Sequence, residues 1–364
     1  RDVADHFGLR NRIRFGTEVH DATWDDERCL WSLTVTGPDG DTGTIEAHAL
    51  ISAVGQLNQP KYPDIDGRGT FAGPAFHSAR WDHDVDLTGA RVAVIGTGAS
   101  AAQFVPSIAD QAAELTVFQR TPNWYGYTEE YRKPLPDGLL WLFHHVPTYS
   151  EWYRFWLYWR MADGLLPYTE VDPDWDRPDS CGPLNEELRS LMAMYNEAVV
   201  GEDPELLAKM TPHYPPTAKR VIRDDASWHL TMRRDHVHLV TTDIDHITPD
   251  AVVTTDGVHH DADVIVYGTG FRAADFLVPM RIVGRDGIEL HDHWDGDARA
   301  YLGITVPGFP NLFCMYGPGT NLAHGGSLIF HSECEMRYIE GCLKALALDD
   351  RHDALEPRPE VHDL

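Results

Sequence analysis

Residues 91–101, Arg91-Val-Ala-Val-Ile-Gly96-Thr-Gly98-Ala-Ser-Ala101, predict a strand, a glycine-rich turn and the start of a helix. Gly96 permits the tight turn, Gly98 lets a pyrophosphate approach the backbone, and the small Ala101 allows the helix to pack closely on the strand. The free N–H groups and the dipole at the start of the helix favour an anion. A helix to about residue 113 and a strand over residues 114–119 complete a βαβ unit, so we predict a parallel sheet with a dinucleotide site.

The end of the second strand, Gln119-Arg120-Thr121-Pro122, decides between the two nicotinamide dinucleotides. An NAD site would place Asp or Glu roughly 20 residues after the glycines, where it bonds the ribose 2′-hydroxyl. This strand ends without an acidic residue, and Arg120 can instead make a bidentate contact with a 2′-phosphate. The sequence therefore predicts NADP; a plain surface cation at Arg120 is the alternative.

Composition narrows the classes of function. A chain of 364 residues is long enough for two domains, and its 43% of hydrophobic residues is ordinary for a globular protein. The formal net charge of −27 argues against nucleic acid as a partner, because a phosphate backbone needs a basic face. We interpret the charge as a solvated acidic surface, with adaptation to an acidic or salty host as the alternative.

The cysteine and histidine patterns predict neither disulfides nor a metal site. Five cysteines without C-x-x-C or paired spacing fit a reducing compartment, hence the cytoplasm. The histidine pairs at 144–145, 259–260 and 291/293 lack further ligands at zinc spacing, so surface histidines are expected. No run reaches the length of a membrane span and no signal peptide is evident. Because the first residue is Arg rather than Met, we expect a start inside a longer protein.

Residues 128–218 differ in character from their neighbours. They are rich in Trp, Tyr, Pro and Leu without strand alternation, which predicts helices with proline-broken joints. Trp152, Phe155, Trp156 and Trp159 fall at helical spacing. We predict that this stripe packs within the helical segment; lining of a substrate pocket is the alternative.

Two further apolar segments end in glycine, residues 45–54 before Gly55 and residues 261–267 before Gly268. A buried strand that stops at a glycine is typical of nucleotide-binding sheets. The repetition favours two such sheets in one chain. Strands over Val237–Val240 and residues 311–316, and a closing helix over about residues 328–347, complete the predicted elements.

A second motif stands just upstream of the glycine-rich turn, Phe71-Ala-Gly73-Pro-Ala-Phe-His77-Ser-Ala-Arg-Trp81. This F-x-G-x-x-x-H-x-x-x-W pattern with the turn after it resembles the Baeyer–Villiger monooxygenases, flavin enzymes that insert one oxygen atom of O2 beside a ketone carbonyl. The resemblance runs along most of residues 5–340. Trp81-Asp-His-Asp, residues 119–124 and residues 300–313 look closest to the 4-hydroxyacetophenone monooxygenase branch. That branch implies an aryl ketone substrate, with alicyclic or steroid ketones as the alternatives.

The resemblance implies roles for the matching residues. The residues that would join the two nucleotide domains and couple their motion are Phe71, Gly73, His77 and Trp81. The residues predicted to contact a cofactor, FAD or NADP(H), are Gly96, Thr97, Gly98, Ser100, Ala101, Gln103, Arg120, Thr121, Lys219, Trp294, Gly268, Thr269 and Gly270. Among them, Lys219 would grip the 2′-phosphate of NADPH with Arg120 and Thr121, and Trp294 would contact the nicotinamide. Arg220 would be the catalytic arginine, although Lys219-Arg220 taken alone would be two solvent-facing cations.

The implied reaction uses FAD, NADPH, O2 and a small-molecule ketone. NADPH reduces the flavin, a C4a-peroxyflavin attacks the ketone, and an ester or lactone results. Arg220 would stabilise the developing negative charge because it stays protonated throughout. The glycine fingerprint of FAD is absent from these residues, and the family carries it further upstream with the acidic partner of the arginine. We therefore expect a truncated chain that holds FAD poorly, with a protein free of flavin as the alternative.

The predicted fold class is α/β, with two nucleotide-binding, Rossmann-like domains, a helical insertion and the first FAD-binding βαβ unit missing. The turn Gly325-Gly-Ser327 before the last helix also favours a flavin, a capped helix without a ligand being the alternative. The predicted segments are 1–85, the remainder of the FAD-binding domain with a linker; 86–127, the first part of the NADP-binding domain; 128–218, the helical insertion; 219–248, the second part of the NADP-binding domain; and 249–364, the C-terminal part of the FAD-binding domain.

Three other functions compete with this interpretation. One is a flavin monooxygenase that oxygenates amine nitrogen or thioether sulfur, and another is a non-catalytic NADP-binding protein. A flavin disulfide reductase would need a C-x-x-C or C-x4-C pair, which the chain lacks. A homodimer is a candidate assembly.

Overall fold

The structure of the protein, a computed structural model, describes residues 2–322, 326–348 and 352–361. The chain divides into two compact units. The first unit comprises residues 1–59, 272–321 and 328–364, and the second comprises residues 60–271 and 322–327.

Strands and helices of the described residues are numbered in chain order. The strands are β1 (Glu18–Asp25), β2 (Leu30–Thr36), β3 (Thr42–Ala47), β4 (Leu50–Ser52), β5 (Ala75–His77), β6 (Arg91–Ile95), β7 (Glu114–Phe118), β8 (Tyr125–Tyr127), β9 (Ile222–Asp224), β10 (Val237–Val240), β11 (Ile244–Ile247), β12 (Ala251–Thr254), β13 (His259–Asp261), β14 (Val264–Tyr267), β15 (Arg281–Val283) and β16 (Leu312–Cys314). The helices are α1 (Asp2–His6), α2 (Ala99–Ile108), α3 (Asp137–His145), α4 (Tyr149–Met161), α5 (Pro183–Val200), α6 (Pro204–Met210), α7 (Ser227–Met232), α8 (Leu290–Trp294) and α9 (Leu328–Leu348).

A five-stranded parallel sheet organises the second unit, in the order β10-β7-β6-β14-β5. Its central strands are apolar runs buried on both faces, as parallel strands covered by other layers must be. The predicted βαβ unit is confirmed, since β6, α2 and β7 follow one another and β6 pairs with β7. The helix ends at Ile108 rather than near 113, because the chain turns back and the Ala113 N–H bonds the carbonyl of Ala90.

An ion-pair cluster ties together the starts of β6 and β14. The Arg91 guanidinium contacts Asp263 and Asp261, each with an N–O distance of 2.8 Å. The Arg91 side chain lowers the pKa of Asp263 by hydrogen bonding, helped by the Arg91 backbone N–H. These side chains are partly exposed, so the pairs hold the register of the two strands more than they add stability.

The helical segment predicted after residue 128 is present as α3, α4, α5 and α6. The packing predicted for the aromatic stripe is wrong: Trp152, Phe155, Trp156 and Trp159 on α4 are 47–67% exposed. Helical spacing puts these rings on neighbouring turns, where Phe155 contacts both Trp152 and Trp159. The spacing alone did not reveal that about half or more of each side chain stays exposed.

The first unit is built on an open four-stranded sheet in the order β15-β1-β2-β3, with β1, β2 and β3 antiparallel. The single strand predicted over residues 45–54 is wrong, because β3 pairs with β2 whereas β4 pairs in parallel with β16. One continuous strand could not serve two sheets, so the chain breaks between Ala47 and Leu50. The strand predicted over residues 311–316 is shorter, at Leu312–Cys314, and the closing helix is α9.

The division into units cuts across the predicted segments. Strand β14 lies in the predicted segment 249–364, yet it pairs with β6 in the sheet of the second unit. Within residues 2–322, 326–348 and 352–361, no helix has the length and hydropathy of a membrane span, and no three His, Cys, Asp or Glu side chains gather as metal ligands. The turn at Gly325 lies outside the described residues.

Candidate functional site

The glycine-rich turn after β6 has the backbone geometry that the motif requires. Gly96 has a φ of +105°, and a Cβ there would lie 2.5 Å from the carbonyl oxygen of Gly268. Only glycine fits this conformation and this close approach. Thr97 is buried, whereas Gly98 and Ser100 are exposed and nothing lies within 4 Å of a Cβ built on Gly98. The first turn of α2 therefore presents free N–H groups to solvent.

A second glycine turn follows the neighbouring strand β14. The Gly268 N–H bonds the Ile95 carbonyl at 2.8 Å, and a Cβ on Gly268 would lie 3.3 Å from the methyl carbon of Ala101. Ala101 is fully buried, which is why only a small residue serves there. Thr269 and Gly270 instead bond the backbone of Lys61, so they fix the turn to the preceding segment.

The end of β7 lies beside the glycine turn. The Asn123 amide donates to the Thr97 carbonyl at 2.8 Å, which links the two carboxyl-end loops. Arg120 is exposed and Thr121 is partly buried, while the Gln119 side chain turns inward and donates to the Lys209 carbonyl. Gln103, also predicted to contact the cofactor, is exposed on α2.

Tyr214 connects Lys219 to the loop that follows β7, although Lys219 and this loop are far apart in sequence. Its hydroxyl donates to the Pro122 carbonyl at 3.0 Å, and the Lys219 ammonium lies 4.6 Å from the centre of its ring. The Trp124 indole N–H bonds the Tyr214 carbonyl at 2.9 Å, so the loop is held from both sides. Burial raises the pKa of Tyr214, which keeps it a neutral donor. The structure thus brings Lys219 to the segment that carries Arg120 and Thr121.

Arg220 and Trp294 occupy different settings. Arg220 is exposed, two residues before β9, and the Ile222 N–H anchors that strand to the Trp124 carbonyl. Trp294 is a core residue of the first unit, 6% exposed, and its indole N–H bonds the Arg299 carbonyl at 2.7 Å. The contact of Trp294 with a nicotinamide stays a prediction.

The upstream motif packs on the dinucleotide-turn helix. The Trp81 ring contacts Phe104 on α2 at 5.4 Å and Phe76 on β5 at 5.1 Å between ring centres. Gly73 is needed because a Cβ would lie 2.3 Å from the Asp263 carbonyl oxygen and 2.9 Å from the Phe71 ring. The motif is therefore part of the architecture of the second unit.

His77 is the buried polar member of this motif. It is fully shielded from solvent, and its Nδ1 accepts the Ala79 N–H at 3.1 Å. Burial lowers the pKa of His77, an effect that the Gly270 carbonyl partly offsets. The ring contacts Tyr62 and Phe271, so it lies between the Lys61 segment and the second glycine turn.

Known proteins match the chain over nearly its whole length. A Baeyer–Villiger monooxygenase of Streptomyces coelicolor is 36% identical over 357 residues, which is 98% of this chain and 65% of that protein. The structure of an oxidised steroid monooxygenase bound to NADP matches with a TM-score of 0.79 and 32% identity, over 100% of this chain and 72% of the other. The closed crystal structure of a cyclohexanone monooxygenase matches with a TM-score of 0.81 and 31% identity. The match covers 100% of this chain and 71% of the other. The chain belongs to the Baeyer–Villiger monooxygenase family.

The chain spans 54–65% of the length of the first curated relatives that it matches. A family model described as L-lysine 6-monooxygenase/L-ornithine 5-monooxygenase also matches, over residues 3–130. The two Rossmann-like domains expected from the sequence agree with the fold of the family structures. Resemblance to the 4-hydroxyacetophenone branch stays a prediction.

Sequence reasoning missed two residues that shape this site, Tyr214 and Asn123. Asn123 stands in the quoted segment 119–124, but nothing in its spacing indicates that it reaches back to Thr97. Tyr214 was visible only as part of the run before Lys219. An aromatic residue five positions before a candidate phosphate-binding lysine is a signal that could have been weighed.

Proposed function

We propose that this chain forms the NADP-binding part, and some of the FAD-binding part, of a Baeyer–Villiger monooxygenase. The proposed enzyme uses NADPH and O2 to insert oxygen next to a ketone carbonyl and releases an ester or lactone. The observation that carries the proposal is the packing of Trp81 on α2, which joins the family motif to the helix of the dinucleotide turn.

The residues of the second unit fit NADPH. The exposed first turn of α2 and the Gly96–Gly98 backbone suit a pyrophosphate. Arg120, Thr121 and Lys219 suit the 2′-phosphate, because a guanidinium can bind it in bidentate fashion and an ammonium adds a point charge. Tyr214 supports this assignment, since it contacts both Lys219 and Pro122.

The first unit fits part of an FAD site. Strands β4 and β16 run in parallel and end near Gly55 and Gly317, where the chain can approach a ligand closely. A Cβ on Gly317 would lie 2.2 Å from the Gly303 carbonyl oxygen, so the backbone there is tightly placed. FAD, when bound, supplies the redox chemistry that activates O2.

Arg220 is the proposed catalytic residue. Negative charge develops on the ketone oxygen when the carbonyl is attacked, and a fixed guanidinium nearby lowers the barrier to that step. Arginine suits the role because it stays protonated at every stage. Removing such a donor is expected to reduce kcat by roughly 10²–10³-fold.

We propose aryl ketones as the substrate class on the strength of residues 81–84, 119–124 and 300–313. A second candidate is oxygenation of an amine nitrogen, which the match to the L-lysine and L-ornithine monooxygenase model over residues 3–130 favours. We also propose a cytoplasmic location, since the five cysteines are all free, and a homodimer as the assembly.

Product analysis separates the two candidates. The natural protein that carries this chain would be incubated with NADPH, 18O2 and either an aryl ketone or L-ornithine. The proposal expects an ester with one 18O atom from the ketone. A hydroxylamine from L-ornithine with no ester would favour the second candidate, and absence of both products would overturn the proposed oxygenase activity.

A further inference from the structure

A buried polar cluster lies in the second unit where α5 meets β8 and α7. It consists of Tyr125 on β8, Tyr195 on α5 and His229 on α7. The ring centre of His229 is 5.0 Å from that of Tyr125 and 5.0 Å from that of Tyr195. His229 is fully buried and Tyr125 is 3% exposed, whereas Tyr195 is partly buried with its hydroxyl oxygen shielded. Polar atoms in such a place need hydrogen-bond partners.

The hydrogen bonds of this cluster can be counted atom by atom. The Asn196 amide donates to the Met210 carbonyl, which leaves its oxygen facing His229 Nε2 at 3.0 Å. Since an amide oxygen only accepts, Nε2 carries the proton and Nδ1 is an acceptor. His229 Nδ1, the Tyr125 hydroxyl and the Tyr195 hydroxyl are then shielded polar atoms without a hydrogen-bond partner among the described residues.

Two tyrosine rings with centres 5.0 Å from that of His229, and three polar atoms without partners, supply the donors and acceptors of a water site. Each phenol can donate and accept, and the imidazole nitrogen accepts, so one molecule with two donors and two lone pairs can bond all three. Internal waters of proteins make about three such bonds to polar groups that lack other partners. A metal ion is a poor match, because two neutral phenols and one imidazole offer no charged ligand. We propose that Tyr125, Tyr195 and His229 bind one internal water molecule.

The proposed water would join two parts of the second unit. Tyr195 belongs to the helical segment, whereas Tyr125 lies on β8 opposite Ile222 of β9. Strand β9 begins two residues after Arg220. The water would therefore fasten α5 to the strand pair that follows the Lys219-Arg220 segment.

The first test uses the sign of a stability change in the natural protein. A hydroxyl bound to an internal water stabilises the fold, whereas a buried hydroxyl with no partner destabilises it. We expect Tyr125→Phe and Tyr195→Phe each to lower the Tm by about 2–4 °C. The double variant should lose less than the sum, because the two hydroxyls share one water. An unchanged or raised Tm in both single variants would overturn the proposal.

Tyr127→Phe is the matched control. Tyr127 lies on the same strand, contacts the Tyr195 ring at 5.3 Å and is 53% exposed. Because Tyr127 is exposed, its hydroxyl can bond solvent and needs no internal partner. Removal of this hydroxyl is therefore expected to leave the Tm unchanged.

A crystal structure of the natural protein decides between a water and a direct bond. The proposal expects a density peak within hydrogen-bond distance of Nδ1 and of at least one of the two hydroxyls, absent from the double variant. A direct hydrogen bond from either tyrosine to Nδ1, or no peak at all, would overturn it whatever the melting temperatures show.

Discussion

The contact between Lys219 and Tyr214 shows how a single residue can position a charge. An ammonium on a flexible four-carbon stem has many rotamers, and holding it in one place costs entropy. The Tyr214 ring attracts the ammonium at 4.6 Å, and the hydroxyl of the same residue fixes the ring to the Pro122 carbonyl. Tyr214 would thereby pre-organise Lys219 for an anion at the end of β7.

Loss of this contact should weaken discrimination between NADPH and NADH. We expect Lys219→Ala to lower the ratio of kcat/KM for NADPH to that for NADH about tenfold, as for one lost charged contact to phosphate. Tyr214→Leu should lower it about 2–5-fold, the worth of an exposed cation–π contact. Steady-state kinetics with both nucleotides and the dissociation constant of 2′,5′-ADP provide the measurement.

Tyr214→Phe is the control, because it keeps the ring beneath Lys219 and removes only the hydroxyl bond to Pro122. It should retain most of the preference for NADPH. Equal losses of NADPH and NADH activity in Tyr214→Leu would contradict the positioning role and indicate a general structural defect.

Alanine substitutions at Gly96 and Gly98 should have different effects, although both residues belong to the same turn. The first should lower stability, and the second should weaken NADPH binding. A Cβ on Gly96 would lie 2.5 Å from the Gly268 oxygen, and its φ of +105° is strained for any other residue. Gly96→Ala should therefore destabilise the second unit by roughly 2–4 kcal/mol. Gly98→Ala should fold normally, because its Cβ meets nothing, but should weaken NADPH binding at least about tenfold by blocking the pyrophosphate.

Thermal unfolding and NADPH titration of the two variants test this pair. Normal stability of Gly96→Ala would contradict the first prediction, because it would show that the turn at Gly96 can move away from the turn at Gly268. Undiminished NADPH binding by Gly98→Ala would contradict the assignment of this turn to the pyrophosphate.

At the scale of elements, local patterns predicted what lies close in sequence and failed where distant segments compete. Strand β6, the glycine turn and β7 follow from their own residues, because apolar runs and glycine positions are local signals. Residues 45–54 read as one strand, yet β2 and β16 each pair with a different part of them. The exposure of the α4 rings likewise depends on which distant segments pack against the helix. The spacing of residues along one helix carries no information about such segments.

The candidate site follows the same division. The sequence nominated Gly96, Gly98 and Arg120 as candidates from neighbours in the chain, and their roles in binding stay predictions. The contact of Tyr214 with Pro122 spans 92 positions, and only the folded backbone brings the two together.

The packing of Trp81 on α2 leads to a prediction about this element. Its ring is shared between Phe76 of the sheet and Phe104 of the helix, so its loss leaves a gap between them. We expect Trp81→Ala to destabilise the second unit by about 3 kcal/mol, and Trp81→Phe to cost clearly less because an aromatic ring remains. Denaturant unfolding of both variants tests this, and equal stability of Trp81→Ala and the natural protein would contradict it.

At the scale of the whole molecule, charge is the dominant feature. A net charge of −27 favours solubility but repels an anionic cofactor. Arg120, Lys219 and Arg220 are exposed cations, and Tyr214 contacts both Lys219 and the carbonyl of Pro122, two residues after Arg120. These cations would give NADPH a local positive region on an otherwise acidic protein. Binding of NADPH should therefore depend more on these few side chains than on the overall field, which salt screens beyond about 10 Å.

The buried His229 is expected to make the stability of the second unit decrease at acidic pH. Burial lowers the pKa of His229 to about 4, against 6.5 for an unperturbed histidine. The unfolded chain therefore binds a proton at a pH where the folded chain does not, so stability is fully present above pH 6.5 and declines as the pH falls to about 4. The free energy of unfolding should fall by about 3 kcal/mol between pH 6.5 and pH 4.

Comparison of variants isolates this contribution from that of the other nineteen histidines and the nearby Asp224. Unfolding followed by tryptophan fluorescence between pH 7 and pH 4 should show a steep loss of stability in the natural protein and a shallower one in His229→Gln. His83→Gln, which changes an exposed histidine, should follow the natural protein. Parallel curves for His229→Gln and the natural protein would mean that His229 is protonated without unfolding. Burial between the uncharged rings of Tyr125 and Tyr195 should resist that protonation.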